Sequence, residues 1–113
     1  MPNKAPSEDA EQINFVLWFK HNYSNVLIFH TPNGGSRNKQ EAIKFKRLGV
    51  LPGVSDLFIP EWKLFIEMKR VRGGTVSKEQ KDFMFEMERV GYACYVAKGF
   101  EQAKEIVEYH VDK

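Results

Sequence analysis

The order of hydrophobic patterns along the chain predicts an α/β domain, a mixed central β-sheet flanked by helices. Three observations lead there. Segments of helical periodicity and short apolar runs alternate over 113 residues, close to the usual size of one domain. The stretch VSDLFIPEWKLFIEMKR reads as two strands separated only by Pro60-Glu61-Trp62-Lys63, an antiparallel hairpin. A helical stretch then separates the second of these strands from a last apolar run, and such a crossover makes the two strands parallel with a right-handed connection.

Each element has its own signal. Residues 1–6 read as a frayed tail, which leaves 7–113 as the domain. Ser7, followed by Glu8, Asp9 and Glu11, predicts a helix N-cap with acids in the first turn, and the helix runs to about Asn22. Ile13, Val16 and Leu17 recur at helical spacing with Phe15 and Phe19 on an adjoining stripe, so a broad face is expected to pack on the sheet. Val26–Thr31 reads as a buried strand ended by Pro32-Asn33-Gly34-Gly35. Asn38 caps a short helix through KQEAIKFKRL, closed by Gly49, and Pro52-Gly53 marks the turn into the hairpin. Beyond RGGT, Ser77 opens a third helix with Phe83, Met84, Met87 and Val90 on one face and Gly91 at its end. Tyr92–Ala97 is the last strand and Phe100–Tyr109 the last helix, with Phe100, Ala103, Ile106 and Val107 inward. No internal repeat and no low-complexity tract is present.

Composition narrows the function classes. Hydrophobic residues make up 42% and charged residues 28%, ordinary for a globular protein and unlike a disordered one. No apolar run approaches the roughly 20 residues that cross a bilayer, and the start MPNKAPSEDAEQ is too polar for a secretory signal. A cytoplasmic protein is expected. Cys94 is the only cysteine, which excludes an intramolecular disulfide and a thiolate-rich zinc site and leaves a small buried hydrophobe as its reading. His21, His30 and His110 are too far apart in sequence for a histidine-based zinc motif, and His30 reads as a satisfied core or surface histidine near its strand end. Trp18 and Trp62 read as packing or interface residues.

The formal charge of +2 decides little, but its distribution is uneven. Arg37, Lys39, Lys44, Lys46 and Arg47 face a single acid, Glu41, and Lys69, Arg70 and Arg72 form a second cluster. Such a layout fits either a solvated helix face or a surface that meets phosphates, and Arg37, Lys39, Lys44, Arg47, Arg70, Arg72 and Lys78 are the candidates for phosphate contacts.

The hairpin holds the chemistry. With its turn centred on Glu61 and Trp62, Ile59 faces Leu64, Leu57 faces Ile66, and Asp56 falls opposite Glu67, their β-carbons about 5 Å apart. Alternation places Leu64, Ile66 and Met68 on one face and Phe65, Glu67 and Lys69 on the other. Two close acids on a partly buried face repel unless a cation or a shared proton compensates. A hard divalent ion such as Mg2+ meets that need and keeps room in its shell for a phosphate. An ammonium group beside it suits phosphodiester hydrolysis. Read one at a time, each acid is also an ordinary polar strand position.

The same residues resemble a known family. GVSDLFIP, LFIEMK and GGTVSKEQ are similar to the VRR-NUC branch of the PD-(D/E)xK nuclease superfamily, with its GVPDL, IExK and serine-x-glutamate-glutamine motifs. Asn33, Gly34, Gly35 and Arg37 match an element that precedes them, and an N-terminal helix bearing a glutamate is also typical, so the resemblance extends over about Glu8 to Val107. Ser55 departs from it, standing where proline is usual. The resemblance implies a restriction-endonuclease-like core, with Glu8, Asp56 and Glu67 as metal ligands, the Met68 carbonyl as a further ligand and Lys69 as the catalytic lysine. Glu8 also reads as a first-turn acid facing the helix dipole, with Glu11 as the substitute in the site. Gln80 reads either as half of a capping box with Ser77 or as a site residue. The implied activity is a Mg2+- or Mn2+-dependent DNA endonuclease. Small stand-alone members resemble Holliday-junction resolving enzymes acting as homodimers, with a nicking or flap nuclease working beside a helicase, or a catalytically silent DNA-binding module, as alternatives.

Overall fold

The computed structural model describes residues 5–32 and 38–112. Residues 1–4 of the tail, the Asn33-Gly34-Gly35 turn signal and Arg37 lie outside them. Helix α1 (Glu8–Asn22) is followed by strand β1 (Phe29–His30), helix α2 (Lys39–Arg47), strand β2 (Leu57–Ile59), a short 3-10 turn (Pro60–Trp62), strand β3 (Leu64–Lys69), helix α3 (Lys78–Arg89), strand β4 (Ala93–Lys98) and helix α4 (Phe100–Val111). The sheet order is β1-β2-β3-β4. The first two pairings are antiparallel and β3 pairs with β4 in parallel, the topology expected from a helical crossover.

The hairpin has the predicted register, Ile59 opposite Leu64 and Leu57 opposite Ile66. Lys63, in the left-handed region at φ 50°, completes the turn. Alternation then divides β3 between two layers. Leu64, Ile66 and Met68 join Phe15 and Phe19 of α1 and Ala103 and Val107 of α4 in one apolar cluster. Phe65 faces the other way, its ring meeting Phe83 of α3 at 5.1 Å. All six β3 residues are buried, so its polar members are held out of water by helices on both sides.

Local chemistry starts and stops the helices as expected. The Ser7 side chain accepts a hydrogen bond from Ala10 N, Asn38 accepts from Glu41 N, and Ser77 with Gln80 forms a reciprocal capping box. Gly53, at φ +88°, allows the α3 start to approach closely, because a β-carbon there would stand 2.3 Å from the Glu79 carbonyl oxygen.

Several packing expectations are corrected. Ile13 and Leu17 are 60% and 63% exposed, while Phe15 and Phe19 are fully buried. Helical spacing allows either stripe, and it is the aromatic one, with the larger apolar side chains, that joins the core cluster. The Val26–Thr31 strand shrinks to a two-residue edge strand, Phe29–His30, and Phe29 and the preceding Leu27 are exposed. Val90, the C-cap of α3, is exposed as well. Trp62 packs as expected: its ring meets Phe19 at 5.5 Å and Tyr23 at 5.3 Å. Helix α2 buries none of its residues.

Candidate active site

Asp56 is held from three sides. It immediately precedes β2, and its Oδ2 accepts a hydrogen bond from Met68 N at 2.7 Å. Its carbonyl accepts from Thr31 N at 2.9 Å and lies 2.8 Å from His30 Nδ1. The Thr31 hydroxyl also donates to the Ser55 carbonyl. The short strand β1 thus grips the backbone on which Asp56 sits. His30 is exposed and satisfied, with Gln12 Nε2 3.1 Å from the same ring nitrogen.

Extending the hairpin register by one residue sets Glu67 against Asp56. Glu67 is 2% exposed, and its Oε1 is buried without a hydrogen-bond partner. Such a group carries a cost of a few kcal/mol in a fold unless something else compensates. Lys69 shares its face, with Nζ 4.0 Å from Glu67 Oε2, and is itself buried. Glu8, the first residue of α1, completes the group. Ligand-type oxygens of Glu8, Asp56 and Glu67 all lie within 4.8 Å of one another.

Electrostatics reflect that crowding. Burial first, and then the adjoining Asp56 carboxylate, push the Glu67 carboxyl up to about 9, and the Lys69 ammonium only partly opposes them. Glu8 is raised for the same leading reasons, burial and then Asp56. Three hard oxygen donors from three separate elements, one of them orphaned, fit a small divalent cation. The Met68 carbonyl fits the set too. A residue's N–H and C=O point to the same side of a strand, and Met68 N donates toward Asp56, so the carbonyl faces the edge beyond which β2 no longer pairs.

The two glutamates of the first helical turns separate cleanly. Glu11 accepts from Phe100 N at 3.1 Å and caps α4, whose own N-cap, Gly99, has no side chain to do so. The acid weighed as a substitute for Glu8 is therefore a cap supplied from another helix. Gln80 Oε1 accepts from Ser77 N at 2.9 Å, within the capping box. Lys39, Lys44 and Arg47 lie exposed on α2, and Arg70 and Arg72 are exposed past the end of β3. Lys78 pairs with Asp82 at 2.7 Å, which raises its pKa.

No family model and no curated protein matches the sequence. Among solved structures, one described as a "VRR_NUC domain protein" aligns with a TM-score of 0.77 at 26% identity, covering 96% of this chain and 91% of its own. The chain folds as a VRR-NUC domain.

Within this VRR-NUC domain, the serine that stands in place of proline is 1% exposed. Its carbonyl is the one bonded by Thr31, so the departure leaves the approach to Asp56 anchored. Thr31 was not singled out from the sequence. The signal available was a hydrogen-bonding residue just before Pro32, at the end of an apolar run. Cys94 is half-buried, and burial, followed by Glu88, pushes its thiol up to about 11, in keeping with an unreactive hydrophobe.

Proposed function

We propose that this VRR-NUC domain is a divalent-metal-dependent nuclease that hydrolyses phosphodiester bonds of DNA. The convergence of Glu8, Asp56 and Glu67 beside Lys69 carries the reading. Those carboxylates, with the Met68 carbonyl, would hold Mg2+ or Mn2+, and a bound ion supplies charge neutralisation at a phosphoryl group and a more acidic water. Lys69, itself buried beside half-buried Glu8 and Asp56, directs its positive charge into the site, where it orients the attacking water and opposes charge developing on the phosphate. Met68 N holds the Asp56 carboxylate, and β1 holds the Asp56 backbone. Gln80 sets the start of α3 through its capping bonds, and the family resemblance supports a site role for it. Lys39, Lys44, Arg47, Arg70, Arg72 and Lys78, together with Arg37, contact the phosphate backbone and draw the duplex in.

In the finer reading, residues 7–113 form one domain that acts as a homodimer on branched DNA such as four-way junctions. One domain presents one carboxylate centre, and paired cuts on two strands need two centres related by a two-fold axis. A solution mass near twice 13.2 kDa is the expected result. No described helix is long and apolar enough to cross a membrane, and a cytoplasmic location belongs to the same reading. The test compares wild type with Asp56→Ala and Lys69→Ala on four-way junctions and linear duplex, with Mg2+, with Mn2+ and with chelator. Both variants are expected to bind without cutting. Cleavage that survives in both removes the site assignment.

A further inference from the structure

On the sheet face that carries Asp56 and Glu67, a row of aromatic rings crosses the strands. Phe29 of β1 stands opposite Phe58 of β2, and Phe58 stands opposite Phe65 of β3. Directly opposed residues share a face. Phe58 is also two residues from Asp56 on the same strand, roughly 6.6 Å along it. The row therefore begins one side-chain step from the carboxylate group.

Its two ends differ. Phe65 is 7% exposed, enclosed by Phe83 of α3 and by Tyr92. Phe29, on the edge strand, is 43% exposed. Phe58 stacks on Phe65 with centroids 4.2 Å apart and planes at 16°. The strand order places Phe29 on the opposite side of Phe58, and there the rings meet at 5.7 Å with planes at 88°. Since one face of Phe58 is taken by Phe65 and the other looks toward Phe29, it is the edge of Phe29 that makes the contact. The faces of the Phe29 ring are turned away from its neighbour.

We propose that Phe29, braced edge-on by Phe58, is a stacking shelf for an unpaired base of the DNA strand that the carboxylates act on. The proposal rests on the nuclease reading above and adds a preference to it. A single exposed phenylalanine is ordinary on a protein surface. This one is held in orientation by a second ring and lies on the catalytic side of the sheet. Every base offers a π-face, so such a shelf tolerates any sequence. A base inside a duplex has both faces occupied by its neighbours. The shelf thus favours strands with unstacked bases, as at branch points and single-stranded flanks. Sequence-independent phosphate contacts and a sequence-tolerant shelf together give selection by DNA structure and not by base identity.

The experiment measures binding by fluorescence anisotropy in chelator, using a labelled single-stranded oligonucleotide and the duplex made from it. Phe29→Ala is expected to weaken single-strand binding roughly tenfold while leaving duplex binding within about twofold. Phe29→Trp, which keeps a π-face, should restore single-strand binding. Phe29→Leu, apolar without a π-face, should behave like the alanine variant. Thermal unfolding of each variant guards against a folding defect. Unchanged single-strand binding in Phe29→Ala, or equal losses on both DNAs, overturns the shelf while wild-type cleavage keeps the nuclease reading intact. Wild type that neither binds nor cuts any DNA removes the nuclease reading, and the shelf with it.

Discussion

Glu11 and Glu67 are both acids taken out of water, 7% and 2% exposed, and the regions around them treat that burial in opposite ways. Around Glu11 the chain supplies a donor. The Phe100 amide meets Oε2, and Gly99, where a β-carbon would stand 2.3 Å from that oxygen, makes room for it. Around Glu67 the chain supplies more negative charge. Asp56 and Glu8 converge on it, Oε1 has no partner, and the nearest ammonium is 4.0 Å away. A buried carboxylate with its partner built in ties elements together, whereas one left short of partners marks a place where a ligand or a proton is to arrive.

Glu67→Gln gives the sharpest separation of the two regions. Under the nuclease reading, steady-state cleavage is expected to fall roughly 100- to 1000-fold, on the scale of losing one preorganised electrostatic group. At a pH above about 9, where the wild-type Glu67 carboxyl ionises, the metal-free Glu67→Gln protein should nonetheless melt at a higher temperature than wild type, because an uncompensated buried charge has gone. A lower melting temperature would mean that the Glu67 charge is structural, and the contrast with Glu11 would be lost.

The pH dependence follows with a definite sign. The Glu67 carboxyl is raised to about 9 from an ordinary 4.5, so between those values the folded state binds the extra proton. Its contribution to stability is fully present below about 4.5 and is lost as the pH rises through about 9. Denaturant midpoints of the metal-free protein measured across that window should decline, and the Glu67→Gln profile should be flatter. Mg2+ added at the alkaline end should raise the wild-type midpoint most, since binding to the folded state offsets the repulsion.

Glu11→Ala tests the other member of the pair. Loss of a helix cap costs about 1 kcal/mol, to be read from urea unfolding, while Glu11→Gln retains an acceptor oxygen and should cost less. The smallest effects belong to the exposed cations of α2. Lys44→Ala should leave stability within about 0.5 kcal/mol and lower the slope of log affinity against log salt by about one if Lys44 meets a phosphate.

Much of this arrangement was legible before any coordinates. Hairpin register, the alternation within β3, the Ser77–Gln80 capping box and the parallel β4 all rest on local geometry or on a turn of known length, and the structure has them as predicted. What the sequence left open depends on partners far along the chain. Periodicity alone could not rank the Ile13–Leu17 stripe against the Phe15–Phe19 stripe, since both recur at helical spacing and only the sheet decides between them. Nor could it assign Glu11, whose partner is 89 residues away. Trp62 was legible as a packing or interface residue, but its neighbours Phe19 and Tyr23, from α1 and the loop after it, were not.

That long reach also bears on how the protein comes into being. Helix α1 carries Glu8, but its seat is finished only when Glu11 finds the first amide of α4, one of the most distant pairings in the chain. Contacts of this kind form late, after shorter loops have closed. During synthesis the hairpin carboxylates Asp56 and Glu67 leave the ribosome well before α4 does, and the Glu11 contact that anchors α1 to α4 can form only afterwards. Under the nuclease reading, a carboxylate centre ordered in this way is completed only when the last helix has docked.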